Sequence, residues 1–380
     1  MLTVGLFGYY YETPYGRDVR SRIMIKGLKR NGVNVIDVRS RASNAPLSLL
    51  DRARMLKDGL NALREADVIL VGWPAWKAIY PAKVLSKLLG KPVIADAFVS
   101  LYDTEVFDRG NVRSGSIKAL QLYLEDKALC ELADHVLLDT EEHIKYFSET
   151  FHVPHKKFSA IYVGSDDDYF YPREEVEDNT FLVTFHGSFI PLHGIEHIIR
   201  AMKLLEAHDD IRCEILGSGQ TYGYVSELAK ALRLRNVIFH RKFLKYEELP
   251  SFIAKADVCL GIFGVTPKAR RVVPTKVYDI LAMKKPLITG GTPAIREAGI
   301  VDRRHALLVE LGNPRALADA ILELKDDERL RRRIAEGGYA LFKEKFTPKA
   351  IGERLKNILE EVRLFKYTEK QDGGGRVHPI

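Results

Sequence analysis

A chain of 380 residues is long for a single hydrophobic core, so two domains are expected. With 46% hydrophobic and 29% charged residues the composition excludes a disordered chain, and no apolar run approaches the roughly 20 residues needed to cross a bilayer. The formal charge of +7 is moderate, and no recognised binding module accompanies it, so nucleic acid is not an expected partner.

The first residues enter an apolar strand over 2–7 with no basic leader ahead of it, so a cytoplasmic rather than a secreted protein is expected. Cys130, Cys213 and Cys259 are far apart and odd in number, and read as reduced, buried thiols. A helix is predicted over 19–31, ended by Gly32, then a strand over 34–38 and a helix over 48–66. Short apolar strands at 68–71 and 92–95 are of the kind buried inside a parallel sheet. A helix over 116–133, a strand over 136–139 and a helix over 141–150 complete the first domain. The polar, aperiodic stretch 174–180 reads as a linker.

The alternation then repeats, with strands predicted over 181–185, 211–216, 237–240, 258–263 and 286–289. Helices are expected over 195–205, 222–232, 246–254, 276–283, 293–298, 314–323 and 328–345, with a last helix ending near Leu364. The glycine-bearing end, 371–380, reads as a flexible tail. Strands alternating with helices predict two doubly wound parallel sheets.

Open parallel sheets bind ligands at the carboxyl ends of their strands. In the second domain those ends collect a coherent set. Gly187 and Gly194 bracket a loop between strand and helix, a geometry that aims backbone amides at an anion. Gly217-Ser218-Gly219 follows the next strand. Lys268, Arg270 and Arg271 precede the segment 272–276, and Asp279 sits one turn into the helix that Thr275 is expected to cap. Glycines permit close backbone approach, basic side chains pair with a diphosphate, and a carboxylate suits a ribose diol.

The first domain offers Gly8, a loop at Tyr9, Tyr10 and Tyr11, and then Gly16-Arg17-Asp18. Asp96 and Asp103 lie at a predicted strand end, with Arg109 as a candidate partner for either. Asp166, Asp167 and Asp168 read as a solvated turn rather than a metal site. Arg22, Lys26, Lys29, Arg30 and Arg39 belong to a basic run in the first sixty residues. That run is either a solvated surface or an attraction for lipid headgroups or a phosphorylated substrate.

These residues together resemble the GT-B glycosyltransferases, specifically the retaining, metal-independent family 4. Members carry Gly-Arg, four residues, then Lys-Gly; Gly187-Ser188 and His193-Gly194 stand in those places. A Gly-x-Gly turn matches Gly217-Ser218-Gly219, an aromatic-bearing segment matches 239–243 with Phe243, and an Ala-Asp pair matches Ala256-Asp257. The Glu-x7-Glu motif falls on Arg271 and Asp279, running into Ala282 and Pro286, and Val163-Gly164-Ser165-Asp166 resembles the stretch before the linker.

The resemblance implies an α/β protein of GT-B architecture: two Rossmann-like doubly wound domains facing a cleft, with a C-terminal helix crossing back. The first, acceptor domain would span 1–173, completed by helix 347–366, and the nucleotide-sugar donor domain 181–346. The implied activity is transfer of a hexose from a nucleoside diphosphate sugar to an acceptor hydroxyl, with retention and without a cofactor or metal. Asp96, Arg271, Lys276 and Asp279 would carry the chemistry. Gly16, the two glycine loops, Ser188, His193, Ser218, Phe243, Lys268, Arg270 and Thr275 would hold the donor. The clamp's Arg and Lys are Ser188 and His193 here, so the cations must come from 268–276. A glycan or lipid-linked acceptor, and peripheral contact with the inner membrane face, go with this reading. A sugar-nucleotide epimerase and a non-catalytic nucleotide-binding homologue are the alternatives.

Overall fold

The computed structural model describes residues 1–10, 12–13, 16–41, 49–173 and 180–372. Tyr11, most of the expected linker and the tail beyond Asp372 therefore lie outside the described residues. The first part of the chain forms β1 (Thr3–Tyr10), the short antiparallel pair β2 (Glu12–Thr13) and β3 (Gly16–Arg17), α1 (Val19–Arg30), β4 (Asn34–Arg41) and α2 (Leu49–Ala62). It continues with β5 (Val68–Val71), α3 (Ile79–Leu89), β6 (Val93–Phe98), α4 (Ile117–Leu132), β7 (His135–Leu138), α5 (Glu141–Phe151) and β8 (Phe158–Ala160).

The second part forms β9 (Phe181–His186), α6 (Ile195–Leu204), β10 (Ile211–Leu216), α7 (Tyr222–Ala231), β11 (Val237–His240), α8 (Leu249–Ala254), β12 (Val258–Leu260) and α9 (Thr275–Ala282). It ends with β13 (Leu287–Gly290), α10 (Pro293–Glu297), β14 (Leu307–Val309), α11 (Pro314–Asp326), α12 (Glu328–Lys345) and α13 (Pro348–Asp372).

Two parallel six-stranded sheets result, ordered β4-β1-β5-β6-β7-β8 and β11-β10-β9-β12-β13-β14. In each, the chain winds outward from an inner strand and then returns to that strand's other side. The winding reverses between β1 and β5 in one sheet and between β9 and β12 in the other. At such a reversal the adjoining loops leave in opposite directions and open a crevice at the carboxyl ends. The fold thus prepares two crevices, one per sheet.

Helix starts follow local chemistry. The Asp18 carboxylate accepts the N–H groups of Arg20 and Ser21 at 3.2 Å each, and Ser116, Thr140, Thr292, Asn313 and Asp327 cap later helices in the same way. One face of the first sheet buries Phe7, Val71, Leu85, Ala95 and Phe147. The other buries Val4, Leu6, Ile23 and Leu28 with Ile351, Leu355 and Leu359 of α13. The last helix therefore crosses back onto the first sheet. It approaches α1 closely because both surfaces carry glycine there: a Cβ on Gly27 would lie 2.1 Å from the Pro348 carbonyl oxygen.

Several expectations are corrected. β1 continues past Gly8, pairing Tyr9 with Ser40 and Tyr10 with Arg41, so Tyr9 and Tyr10 are strand residues rather than a loop. β6 likewise runs through a bulge to Phe98, which puts Asp96 inside the sheet. α3 was hidden by Pro81, which sits in its first turn, where no backbone donor is needed. β8 and β14, three residues each, are too short to show a period.

Candidate functional site

The carboxyl ends of β9 and β12 border a cavity of about 680 Å³ that is walled on its far side by the first domain. Seven of the predicted residues converge in it: Gly187, Ser188, His193, Lys268, Thr275, Lys276 and Asp279. α9 presents Thr275, Lys276 and Asp279 because Val277, Tyr278, Ile280 and Leu281 are all buried, fixing the rotation of the helix, and Lys268 comes from the turn Pro267–Arg270 before it. Its N-terminus has no side-chain cap: Pro274 holds the cap position and Thr275, expected to cap the helix, is its first residue.

Lys276 is 5% exposed, yet its Nζ has no hydrogen-bond partner among the described residues. The amine sits 3.8 Å from the Phe185 ring centroid, and burial holds its pKa well below the ordinary lysine value. Gly187, at φ +140°, makes room for it: a Cβ there would lie 3.0 Å from Nζ. His186 at the end of β9 is equally orphaned, with neither ring nitrogen hydrogen-bonded among the described residues, and its pKa is pushed down to about 3 by burial and then by the Lys276 charge. His193 donates from Nδ1 to the Ser188 carbonyl, which locks the loop. Buried donors are normally satisfied, so this cluster has the character of an anion site.

Asp279 closes the other side of the cavity. Its Oδ1 accepts from Ser165 Oγ at 2.5 Å, and burial pushes its pKa up to about 7, the serine opposing the shift. The first domain contributes Trp73, Trp76 and Phe98, whose rings meet edge-on at 5.8 and 6.3 Å centroid distances, and Asp139. Asp139 accepts from His143 Nδ1. Phe98 holds φ 57°, a strained value for an aromatic residue and of the kind that collects at functional sites.

Around this cavity the domains clasp each other. Arg271 pairs with Asp103 at 2.6 Å and stacks over Tyr146 at 4.2 Å. Lys268 Nζ donates to Thr104, and Thr266 Oγ1 donates to Asp108 at 3.0 Å. Glu297 accepts the N–H groups of Glu141 and Glu142, the first turn of α5, at 2.7 and 3.0 Å. Asp103 and Asp108 sit in a wide helical turn, Asp103–Asp108, that the sequence pattern did not reveal.

Other predicted residues lie elsewhere. Asp96 is fully buried and gives its carboxylate to Arg20, which also donates to the carbonyls of Ile161 and Leu138. Arg109 lines the cavity and pairs with neither Asp96 nor Asp103, whose partners are Arg20 and Arg271. Arg270 is exposed, Arg271 is turned to Asp103, and Phe243 lies at the surface. Gly16 pairs with Thr13 in the short hairpin. Gly194 packs on Gly264, while Gly217 and Gly219 press against the first loop: a Cβ on Gly217 would lie 1.9 Å from the Gly187 carbonyl oxygen. Phe189 N–H donates to Ser218 at 2.9 Å. The second glycine turn therefore supports the first loop from behind. Asp166, Asp167 and Asp168 are matched by Lys26 and Arg30. His186 and Asp139 escaped the sequence reading, although a histidine directly before Gly187 at a strand end was a visible signal.

Residues 168–341 match the family model described as glycosyl transferases group 1. Alpha-D-kanosaminyltransferase of Streptomyces kanamyceticus is 25% identical over 302 residues, 76% of this chain and 75% of that one. The structure of HepE from Anabaena in complex with UDP-glucose aligns with a TM-score of 0.71 at 16% identity, covering 95% of this chain and 100% of that one. Sucrose-phosphate synthase from Thermosynechococcus elongatus aligns at 0.69 with 15% identity, over 95% and 99%. No helix among the described residues is long and apolar enough to cross a membrane. The family match over the second half and the two-sheet fold shared along almost the whole chain support a glycosyltransferase of GT-B fold.

Proposed function

We propose that this chain moves a hexose from a nucleoside diphosphate sugar to an acceptor hydroxyl, with retention at the anomeric carbon and without a metal or cofactor. The observation that carries the reading is the orphaned Lys276 amine, buried beside His186 at the uncapped start of α9. A diphosphate satisfies that cluster. Asp279, one helical turn further, receives the ribose hydroxyls. Lys276, with Lys268 buried nearby in the same cavity, neutralises charge as the bond from C1 to the leaving phosphate breaks, a role for which preorganised buried cations are well suited. The acceptor oxygen forms the new bond to C1, and its proton passes to the departing phosphate. Trp73, Trp76 and Phe98 offer apolar faces for the acceptor, and the domain clasp excludes water from the donor. UDP-glucose bound to HepE on the same fold favours a uridine donor. A cytoplasmic location, with peripheral contact at the inner membrane face, goes with the reading.

The test is a mass-spectrometric screen of nucleoside diphosphate sugars against hydroxyl acceptors, with the anomeric configuration of the product read by NMR. Donor consumption that is lost in Lys276→Ala and Asp279→Ala, with a retained anomer, is expected. Release of nucleotide and free altered sugar would indicate an epimerase, and tight binding without consumption a non-catalytic homologue; either result refutes the assignment.

A further inference from the structure

The basic run of the first sixty residues is only partly consumed by the fold. Arg20 is taken by Asp96, while Lys26 and Arg30 are taken by Asp166, Asp167 and Asp168. What remains gathers in a second cavity, of about 600 Å³, between α1 and β4 at the carboxyl side of the first sheet. Three of its lining side chains carry buried donors with no hydrogen-bond partner among the described residues: Ser21 Oγ, Arg22 Nε and Nη2, and Arg39 Nη1, with Arg22 Nε 3.8 Å from the Asp166 carboxylate as a looser ion pair. The Arg39 side chain is only 3% exposed; Asp37 holds Nε and Nη2 and leaves Nη1 over. Exposed Lys29 adds charge at the rim.

Two of these orphans, on Ser21 and Arg39, share one location. Gly72 follows β5, at the point where the winding of the first sheet reverses. A Cβ built on Gly72 would stand 3.6 Å from both Arg39 Nη1 and Ser21 Oγ. The missing side chain thus leaves a space faced by a guanidinium and a hydroxyl, with the first turn of α1 beside it. Planar guanidinium donors next to a hydroxyl suit a tetrahedral oxyanion. The cavity is also adjacent to the donor cavity. Asp18 lines the former and Val19 the latter, and Arg22 stacks at 3.9 Å over Tyr246, which lines the donor cavity.

We propose that the Ser21–Arg39–Gly72 pocket is a phosphate-binding subsite of the acceptor half, holding the phosphate of a phosphorylated acceptor whose hydroxyl reaches the donor cavity past Arg22. The acceptor assignment rests on the transferase reading above; the phosphate site itself does not. Ser21 and Arg39 grip the phosphate oxygens, and Arg22 supplies the second positive charge on the side facing the sugar donor.

Binding is measured by calorimetry at low salt, without nucleotide, using sn-glycerol 3-phosphate, inorganic phosphate and, as control, glycerol. Both phosphates should bind and glycerol should not. Arg39→Gln should weaken them about tenfold or more, the loss of one charge-assisted hydrogen bond. Gly72→Ala should do the same while folding normally, since its Cβ meets only ordinary contacts. UDP affinity should stay within about twofold in both variants, whereas Lys276→Met should lose UDP and keep phosphate, which separates this site from the donor site. A second arm uses vesicles with and without phosphatidylglycerol. Binding confined to the anionic vesicles and abolished by Gly72→Ala supports the same site with a lipid headgroup as the source. Absence of binding in both arms, or binding indifferent to both substitutions, overturns the proposal.

Discussion

Replacing Lys276 with methionine should make the ligand-free protein more stable and the donor site useless. The amine is 5% exposed and lacks a hydrogen-bond partner among the described residues, a situation that costs about 1–3 kcal/mol. Its contact with Phe185, 3.8 Å from the ring centroid, returns at most ~2 kcal/mol, and only while the amine is charged. Burial works against that charge. A methionine keeps the stem's packing and its sulfur suits the same ring, so Lys276→Met should gain roughly 1–2 kcal/mol in urea unfolding at pH 7.5. The same change removes the cation facing a buried phosphate, worth roughly 2–5 kcal/mol, so UDP affinity should fall about thirtyfold to several thousandfold. A phosphate favours the charged amine that burial disfavours, so calorimetry in two buffers of different ionisation enthalpy should show less proton uptake on UDP binding in the variant than in wild type. A variant that unfolds at lower urea than wild type, or that binds UDP unchanged, refutes the reasoning.

Asp279 should make stability depend on pH in the opposite sense to an ordinary carboxylate. Its pKa is raised from 3.8 to about 7, so its contribution is present in full below pH 4 and is lost as pH rises through 7, a change of up to ~4 kcal/mol. Asp279→Asn should flatten that slope in unfolding midpoints between pH 4 and 8; parallel wild-type and variant profiles would show that the carboxyl is not perturbed. The pair Asp103 and Arg271 should couple by ~1–3 kcal/mol in a double-mutant cycle with Asp103→Asn and Arg271→Gln, measured by denaturation, and strict additivity would remove the clasp from the argument. Gly217→Ala, at φ +140° and with its Cβ driven against the Gly187 carbonyl, should weaken UDP about tenfold or more without touching the cavity; unchanged affinity would mean the loops are not mechanically linked.

Much of the fold was legible because parallel strands buried on both faces read as apolar runs, and helices declare themselves by spacing and by Asp18, Ser116 or Thr140 at their starts. The second domain's site was legible for the same reason: Lys276 and Asp279 lie one turn apart on a helix whose rotation the buried residues dictate. What could not be read was pairing across long separations. Arg20 and Asp96 are 76 residues apart, and Arg271 and Asp103 are 168 apart. A basic residue before α9 and an acidic residue near a strand end looked available for ligand, but each had a partner from another element. Asp96 misled further because the β6 bulge carries the strand two residues beyond it, drawing the carboxylate under Arg20 instead of releasing it into the crevice.

In the proposed reading Lys276 supplies the cation that the loop 187–194, which carries no arginine or lysine, does not. A lysine carried on such a loop must be held by the loop's own rigidity. Lys276 is held by a helix with most of its residues in the core, and Gly187 yields the space its amine occupies. The amine thus sits in the first turn of α9, and in the proposed reading the helix dipole and the side chain favour the same phosphate. His193, committed to the Ser188 carbonyl, keeps the loop from folding over the amine, and Gly217 braces it from behind. Lysine in place of His193 would lose the lock on Ser188 and add a second cation beside Lys276.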